Sequence, residues 1–417
     1  MAIQGLRTSA NFVTDQRPKN WREGILLLEP NGSIPLTGLT SLMKKRETDD
    51  PEYSWWEKLT ETRRLKMTSS STALTSSNTT ITLDSTDGNG LSVKEGDLLR
   101  VMQTGEVLRV ASDPASATSI VVTRAWGDVS ATALDTTAAG KNPWLLVIGS
   151  VYEEGSMAPT GVNFDPTKRF NYTQIFRNTL EMTRTGSKTR LRTGDSVKEA
   201  KRECLLYQGL DMERAFFMSE RKETTLNGKP ARSMGGLYWL LNNYNSASNI
   251  KDASVDYSSG LTMIGLEEYM FNIFKYGSSE KMAFCGNRSL LTINQAVRKN
   301  STFNIQTGIK EYGMNVSRLT TPYGELVLKN HPLFNQDVAG TTGGTAYYGM
   351  ESWMFVMDMA NLKYVYLNGG DTQYQPVLQS NGLDGMQSGY LSECGLEISF
   401  PQTHYLVKNM ISAAADA

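Results

Sequence analysis

The chain has 417 residues, and its 42 Lys plus Arg almost cancel its 43 Asp plus Glu. That balance excludes the broad basic excess with which sequence-independent nucleic-acid binders neutralise phosphates. Three widely separated cysteines, Cys204, Cys285 and Cys394, exclude a disulfide framework and a CxxC metal pair.

The cysteines read as reduced core residues of a protein assembled in a cytoplasm. The length allows two or three domains, each with its own core. The start, MAIQGLRTSANFVTDQRP, has no apolar stretch, and the longest strongly apolar run, Trp144 to Ile148, is far too short to span a bilayer. A soluble, unexported chain is expected.

Residues 1–50 are polar and rich in turn formers, with Asn31-Gly32 and Pro35 beside a short apolar patch at Leu26, Leu27 and Leu28. They read as an extended arm with little core of its own. The arm ends in DDPEYSWWEK, which crowds Tyr53, Trp55 and Trp56 between acids and Lys58. These aromatics either fix the arm to a neighbouring core as a strand or turn, or serve as interface anchors.

From 68 to 142 the composition shifts to Ser, Thr, Ala and Gly. TTITL, DLLRVM, EVLRVAS and SIVVTRAW are β-branched runs parted by the turn formers DGNG, QTG and DPASA. Four or five such strands predict an inserted antiparallel sandwich or barrel.

NPWLLVIGS and KRFNYTQIFRNTLEMTRT then read as the arms of a long hairpin over about 144–184, turning at Glu154-Gly155. Four cations follow within nine residues, Arg184, Lys188, Arg190 and Arg192, with no acid among them. A solvated loop is the plain reading of that cluster.

Ser196 to Arg221 predicts one long helix of 26 residues, spanning roughly 39 Å at the helical rise. Ser196 and Glu199 form a capping box. Val197, Ala200, Cys204, Met212, Ala215 and Phe216 supply an apolar stripe, while Lys198, Glu199, Arg202, Glu203, Glu213 and Glu220 fill the polar arc. Gly209 costs about 1 kcal/mol against Ala, so packing must override propensity there.

The segment KETTLNGKPARSMGGL reads as a loop with Leu226, Asn227 and Gly228 just past the helix and Gly235, Gly236 and Leu237 at its end. Beyond it LYWLLNNYN and IGLEEYMFNIFKYG read as helices, KMAFCG as a strand, and NRSLLTINQAVRK as a helix capped by Asn287. Strands follow at SRLTTPYGELVLKNH, ESWMFVMDM, KYVYLN, TQYQPVL and LEISFPQ, an α+β arrangement. No heptad run or repeat suggests a fibre.

Raw material for chemistry is scarce. The chain has two histidines, His331 and His404, and His331 reads as a satisfied strand-end residue before Pro332. GSKT at Gly186 lacks the P-loop glycine and Gly-Lys step, and AGTTGGT at Ala339 opens no helix, so both read as loops. The acid pairs Asp49-Asp50 and Glu153-Glu154 point to opposite faces of an extended chain and read as solvated turn acids. No catalytic, cofactor or metal site is expected.

Arm, hairpin, long helix, the LNG and GGL steps and the α+β remainder occur in an order that resembles tailed-phage major capsid proteins of the Hong Kong 97-type fold. The resemblance implies an arm over 1–50 and a peripheral domain over 51–67 and 143–235, holding the extended hairpin and a spine helix at about 196–221. It further implies an axial domain over 236–350 and a return to the peripheral domain over 351–417, with 68–142 as an inserted β domain.

The implied function is a non-enzymatic shell subunit that forms the pentamers and hexamers of an icosahedral phage head around double-stranded DNA, found in the virion after assembly in the host cytoplasm. Its partners would be its own copies, a scaffold, cement proteins, the portal and, weakly, the packaged DNA, with no membrane. The hairpin would lap a neighbour, so the Arg184, Lys188, Arg190 and Arg192 cluster would pair with a neighbour's Glu153 and Glu154 or contact the packaged DNA. Alternatives are an encapsulin-like compartment shell, which shares the fold, and a tail or baseplate adhesin, which requires trimeric β-repeats. A hydrolase would need a catalytic constellation that the chain lacks.

Overall fold

The computed structural model describes residues 43–59, 63–68, 74–85, 88–134, 144–189, 195–245, 247–299, 305–311, 314–337, 340–342 and 345–411. The described chain divides into two compact units, Trp56–Thr167 and the remainder. The paired strands Glu52–Glu57 and Thr167–Tyr172 carry the chain out of the larger unit and back.

The larger unit is a mixed α/β structure with two principal sheets. In the first, Lys44–Thr48 pairs in parallel with Leu362–Leu367, which is followed by Gly385–Ile398 and Gln174–Thr183, with Gln373–Gln375 also on Gly385–Ile398. Of the expected arm, residues 1–42 lie outside the described residues, and its end is this first strand.

The second sheet has seven strands, ordered Ile250–Asp252, Tyr405–Lys408, Met354–Met357, Glu280–Cys285, Gly324–Asn330, Met314–Thr321 and Ile305–Glu311. The chain's return from residue 351 is therefore split. Met354–Met357 and Tyr405–Lys408 join this sheet, while Leu362–Leu367 and Gly385–Ile398 join the first.

The apolar run KMAFC makes the central strand of the second sheet because both its faces are covered. Met282 and Phe284 enter a core with Phe217, Leu237 and Phe355, while Ala283 and Cys285 enter another with Leu266, Met270 and Ile293 from the helices Met263–Ile273 and Asn287–Lys299. Phe355 and Met357 alternate with Met354 and Val356 in the same way. Asn287 is the first residue of its helix and not the cap, its N–H donating to Asn335 Oδ1 at 2.6 Å.

The long helix is Ser196–Met218, ending three residues before the expected Arg221. Asp195, not Ser196, is its cap, the Asp195 carboxylate accepting from the N–H groups of Val197 and Lys198. An acid one residue earlier reaches the same orphan donors and adds favourable charge at the positive end of the helix. Ser196 instead turns its hydroxyl to Met182 Sδ at 3.7 Å.

The expected loop after this helix is a hairpin, Lys222–Leu226 with Lys229–Ser233, closed by Asn227 (φ 50°) and Gly228 (φ +73°) in the left-handed geometry that two-residue turns require. AGTTGGT likewise forms a small pair, Gly340–Thr342 with Thr345–Tyr347, and GSKT lies in a short helix, Arg184–Lys188.

Gly235 and Gly236 then bring the chain against the long helix before the helix Leu237–Tyr244. A Cβ on Gly236 would stand 2.7 Å from the Ala215 carbonyl oxygen and 2.9 Å from the Ser219 nitrogen. Buried Asn171 holds the turn, accepting from Gly235 N–H at 2.7 Å and donating to the Gly235 and Leu396 carbonyls.

Unit Trp56–Thr167 is a closed antiparallel barrel, wider than the expected 68–142. Its strands run in the order Arg64–Lys66, Trp144–Ser150, Asp97–Val101, Val107–Val110, Ser119–Thr123 and Thr80–Thr82. The last strand meets the first through the Met67–Leu83 bridge and the bond from Asp84 N–H to the Lys66 carbonyl, and closure removes the exposed sheet edges.

Trp144–Ser150, expected as an arm of the long hairpin, pairs with Arg64–Lys66 and Asp97–Val101 instead. Its inward Leu145 packs with Leu65, Leu99, Leu108 and Ile120. The barrel's buried ion pair is Arg124 with Glu106, whose two oxygens accept from Nε and Nη2 at 2.8 Å.

Gly236→Ala is expected to destabilise the protein by about 1–3 kcal/mol, the range for a forced core clash. Gly228→Ala, whose Cβ would meet nothing within 4 Å, is expected to lose about 1 kcal/mol from its left-handed backbone alone. Urea denaturation of the two variants side by side measures the difference.

Candidate functional site

The aromatics proposed as interface anchors separate by strand alternation. Tyr53 and Trp55 are buried at 2% and 6% exposure and pack with Val365, while Trp56 on the opposite face is 66% exposed. Tyr53 donates its hydroxyl to the Leu396 carbonyl at 2.8 Å. These two rings therefore fix the chain end to its own sheet and present no surface, and burial pushes the Tyr53 phenol well above its ordinary pKa.

Glu153 and Glu154 lie in Val151–Gly161, a stretch of exposed backbone without regular structure. Arg184 is exposed, and its Nε donates to Asp384 Oδ1 at 2.7 Å within the same chain. Lys188 closes the short helix that Thr183 caps. Arg190 and Arg192 lie outside the described residues.

His331 is fully buried, and Nε2 donates to Glu213 Oε1 at 2.8 Å. Sequence reasoning placed Glu213 on the polar arc of the long helix, yet Glu213 and Gln208 belong to its buried face with Met212, Phe216 and Phe217. Gln208 donates to the Phe176 carbonyl and to Ser392 Oγ. The face is mixed because it crosses sheet backbone as well as side chains. The signal available beforehand was Glu213 lying beside Met212 on the stripe.

His404 is also buried, its Nδ1 accepting from the Asp358 N–H at 3.3 Å. Burial, aided by the Lys281 charge and opposed by Asp358, lowers its pKa to about 4. Buried Lys281 donates to the carbonyls of Ile273, Tyr276 and Thr403 at 2.7, 2.6 and 2.6 Å. Burial lowers its pKa to about 8 against the pull of Asp358. All three ammonium donors are spent on backbone, so Lys281 tethers three segments together.

A cavity of about 570 Å³ beside it is lined by Glu280, Arg318 and Asp358 among others, charges of both signs. Asp358 there accepts from Ser278 N–H and Asn361 Nδ2. Cys204, Cys285 and Cys394 are buried free thiols, and burial raises Cys285 and Cys394 to about 12. Among the described residues no cluster of three or more His, Cys, Asp or Glu side chains could hold a metal, and no helix is long and apolar enough to cross a membrane.

Each buried ionisable group named above is engaged in packing or tethering, which is the economy of a structural subunit. The sequence profile of the SU10 major capsid protein family matches residues 4–410, and the chain belongs to that family. It is 24% identical over 404 residues to the major capsid protein of Pseudomonas phage PaMx41, covering 92% of this chain and 90% of that protein.

Among solved structures it is similar to that of Microbacterium phage Oxtober96, with a TM-score of 0.44, 10% identity, and coverage of 94% of this chain and 95% of the other. It is also similar to the holo-SrpI encapsulin complex from Synechococcus elongatus PCC 7942, with a TM-score of 0.41, 10% identity, and coverage of 60% and 79%. The role is that of the family, a major capsid protein of a tailed phage that assembles with its own copies.

Glu213→Ala strands His331 and opens a void, with an expected loss of about 3–5 kcal/mol. Glu213→Gln keeps the acceptor and the shape and is expected to lose about 1–2 kcal/mol. Chemical denaturation at pH 7 separates the two.

Between pH 6.5 and about 4 the unfolded chain protonates His404 while the folded chain does not. Stability therefore falls as pH drops through that window, by up to about 3 kcal/mol from this group. His404→Asn is expected to flatten that part of the acid limb when denaturation midpoints are compared across it.

Proposed function

We propose that the chain builds an icosahedral head as pentamers and hexamers of a Hong Kong 97-type subunit. The observation that carries this reading is the family match over residues 4–410, which spans both units and all the elements described above. The first sheet and the helix Ser196–Met218 would form the peripheral domain, with that helix as its spine. The seven-stranded sheet with Met263–Ile273 and Asn287–Lys299 would form the axial domain around the capsomer centre.

In this reading the N-terminal arm reaches a neighbouring subunit, and the barrel is an insertion in the loop that would otherwise run as a simple hairpin. Each contact can be modest, because a closed shell repeats it in every copy. Trp56, Glu153, Glu154 and Lys188 are the surface residues placed for such contacts, while a neighbour's acid would have to displace Asp384 to engage Arg184.

The near-zero net charge keeps identical copies from repelling one another. It also leaves packaged double-stranded DNA to weak, local contact. Scaffold, cement and portal proteins would be the other partners, with assembly in the host cytoplasm and no catalytic step by this chain.

Expressed alone and examined by sedimentation and negative-stain microscopy, the protein is expected to form closed shells or rings of five and six copies. An elongated trimer would replace this reading with the adhesin, and shells that load a protein cargo in place of DNA would replace it with the compartment.

A further inference from the structure

One outer surface of the barrel is cationic. On its outer surface the ladder Arg64, Leu146, Arg100, Val107 crosses four strands in register, and none of these outward positions is acidic. The Arg64 guanidinium lies 4.3 Å over the Trp144 ring, and that of Arg109 lies 5.4 Å over Trp126. Trp126 is 46% exposed and Met102, beside Trp144, is 59% exposed. Glu106, next to Val107 of this ladder, is buried on Arg124 and does not offset these charges. A guanidinium stacked on a ring still presents its N–H edge, so the surface suits a ligand that alternates carboxylates with apolar groups.

Such a ligand leaves the Asp97 end of the same strands. Val151 N–H donates to the Gly96 carbonyl, Tyr152 Oη to the Glu95 carbonyl and Thr160 Oγ1 to Asp113 Oδ2. These bonds fix the exposed segment Val151–Thr160 at the Asp97 end of the strand Asp97–Val101. The segment bears Glu153 and Glu154 next to Tyr152, and Met157 is 93% exposed. No Lys or Arg occurs between Trp144 and Lys168. Among the described residues, neither Glu153 nor Glu154 forms an ion pair with Arg64, Arg100 or Arg109 of its own barrel.

We propose that this face, centred on Arg64, Arg100 and Arg109, receives the Glu153–Met157 segment of a second copy. The contact is heterologous, one surface meeting a different one, and such contacts close into rings when the rotation permits. The inference rests on the shell reading and names one of its junctions. It also gives Glu153 and Glu154 a receptor other than the Arg184 cluster.

The test uses the full chain in four forms: wild type, Arg64→Glu with Arg100→Glu, Glu153→Lys with Glu154→Lys, and all four changes together. Each double reversal is expected to lower the fraction sedimenting as rings or shells about ten-fold, and the combined variant to restore it to within about two-fold. Far-UV circular dichroism checks folding, and Arg100→Gln, a milder change, is expected to lower assembly with an unchanged spectrum.

Wild-type assembly by either double reversal, or a combined variant no better than its parents, overturns the junction. So does a reversed face that assembles normally but loses binding to a short DNA duplex, which would make the face a nucleic-acid contact. If the wild type forms no rings or shells even with its scaffold co-expressed, the shell reading fails and this inference with it.

Discussion

The larger unit depends on the last two turns of one helix. Phe216 and Phe217 are adjacent, so their side chains diverge by about 100° around the helix axis. Phe216 meets Tyr364 of the first sheet edge to face at 6.3 Å, and Phe217 meets Phe284 and Phe355 of the second at 5.9 and 5.2 Å. Two neighbouring rings thus join two sheets through one core. The same turns carry Glu213 to His331, which stacks on Phe334 at 4.1 Å, and they leave no room for a side chain at Gly236.

That constraint explains what was legible in the sequence. Where a segment satisfies its own periodicity locally, as the helices Leu237–Tyr244 and Met263–Ile273 do, the pattern alone places its start within a residue, though the second helix ends four residues before the expected Gly277. KMAFC was legible as a strand because a short apolar run flanked by a glycine fits a strand covered on both faces. Glu213 was misplaced, and Gln208 went unread, for the opposite reason. Glu213 and Gln208 are buried by partners more than a hundred residues away or on another strand, and no window of helix reports a histidine at 331 or a carbonyl at Phe176.

The barrel shows the same limit in β structure. Its strands were visible as β-branched runs between turns, but Trp144–Ser150 alternates as well for a hairpin arm as for a barrel stave. Only its partners decide, and Arg64–Lys66 lies some eighty residues upstream. Closure through Met67 and Leu83 is likewise a matter of register, and register is set by the whole circuit of strands. Tyr53 and Trp55 were ambiguous between core and interface because aromatic content is common to both, and the alternation that buries them also exposes Trp56.

The absence of net charge conceals a strong local pattern. Arginines gather on one surface of the barrel and acids on the segment leaving its Asp97 end, while the buried ionic groups Glu106, Glu213 and Lys281 are satisfied within the chain. Buried pairs of this kind fix geometry more than they add stability, and exposed charges of opposite sign set register more than affinity. A subunit copied many times into one shell needs both properties. Its own shape must vary little, because an error repeats in every copy, and its contacts must be weak enough singly for a misplaced neighbour to leave before the ring closes around it.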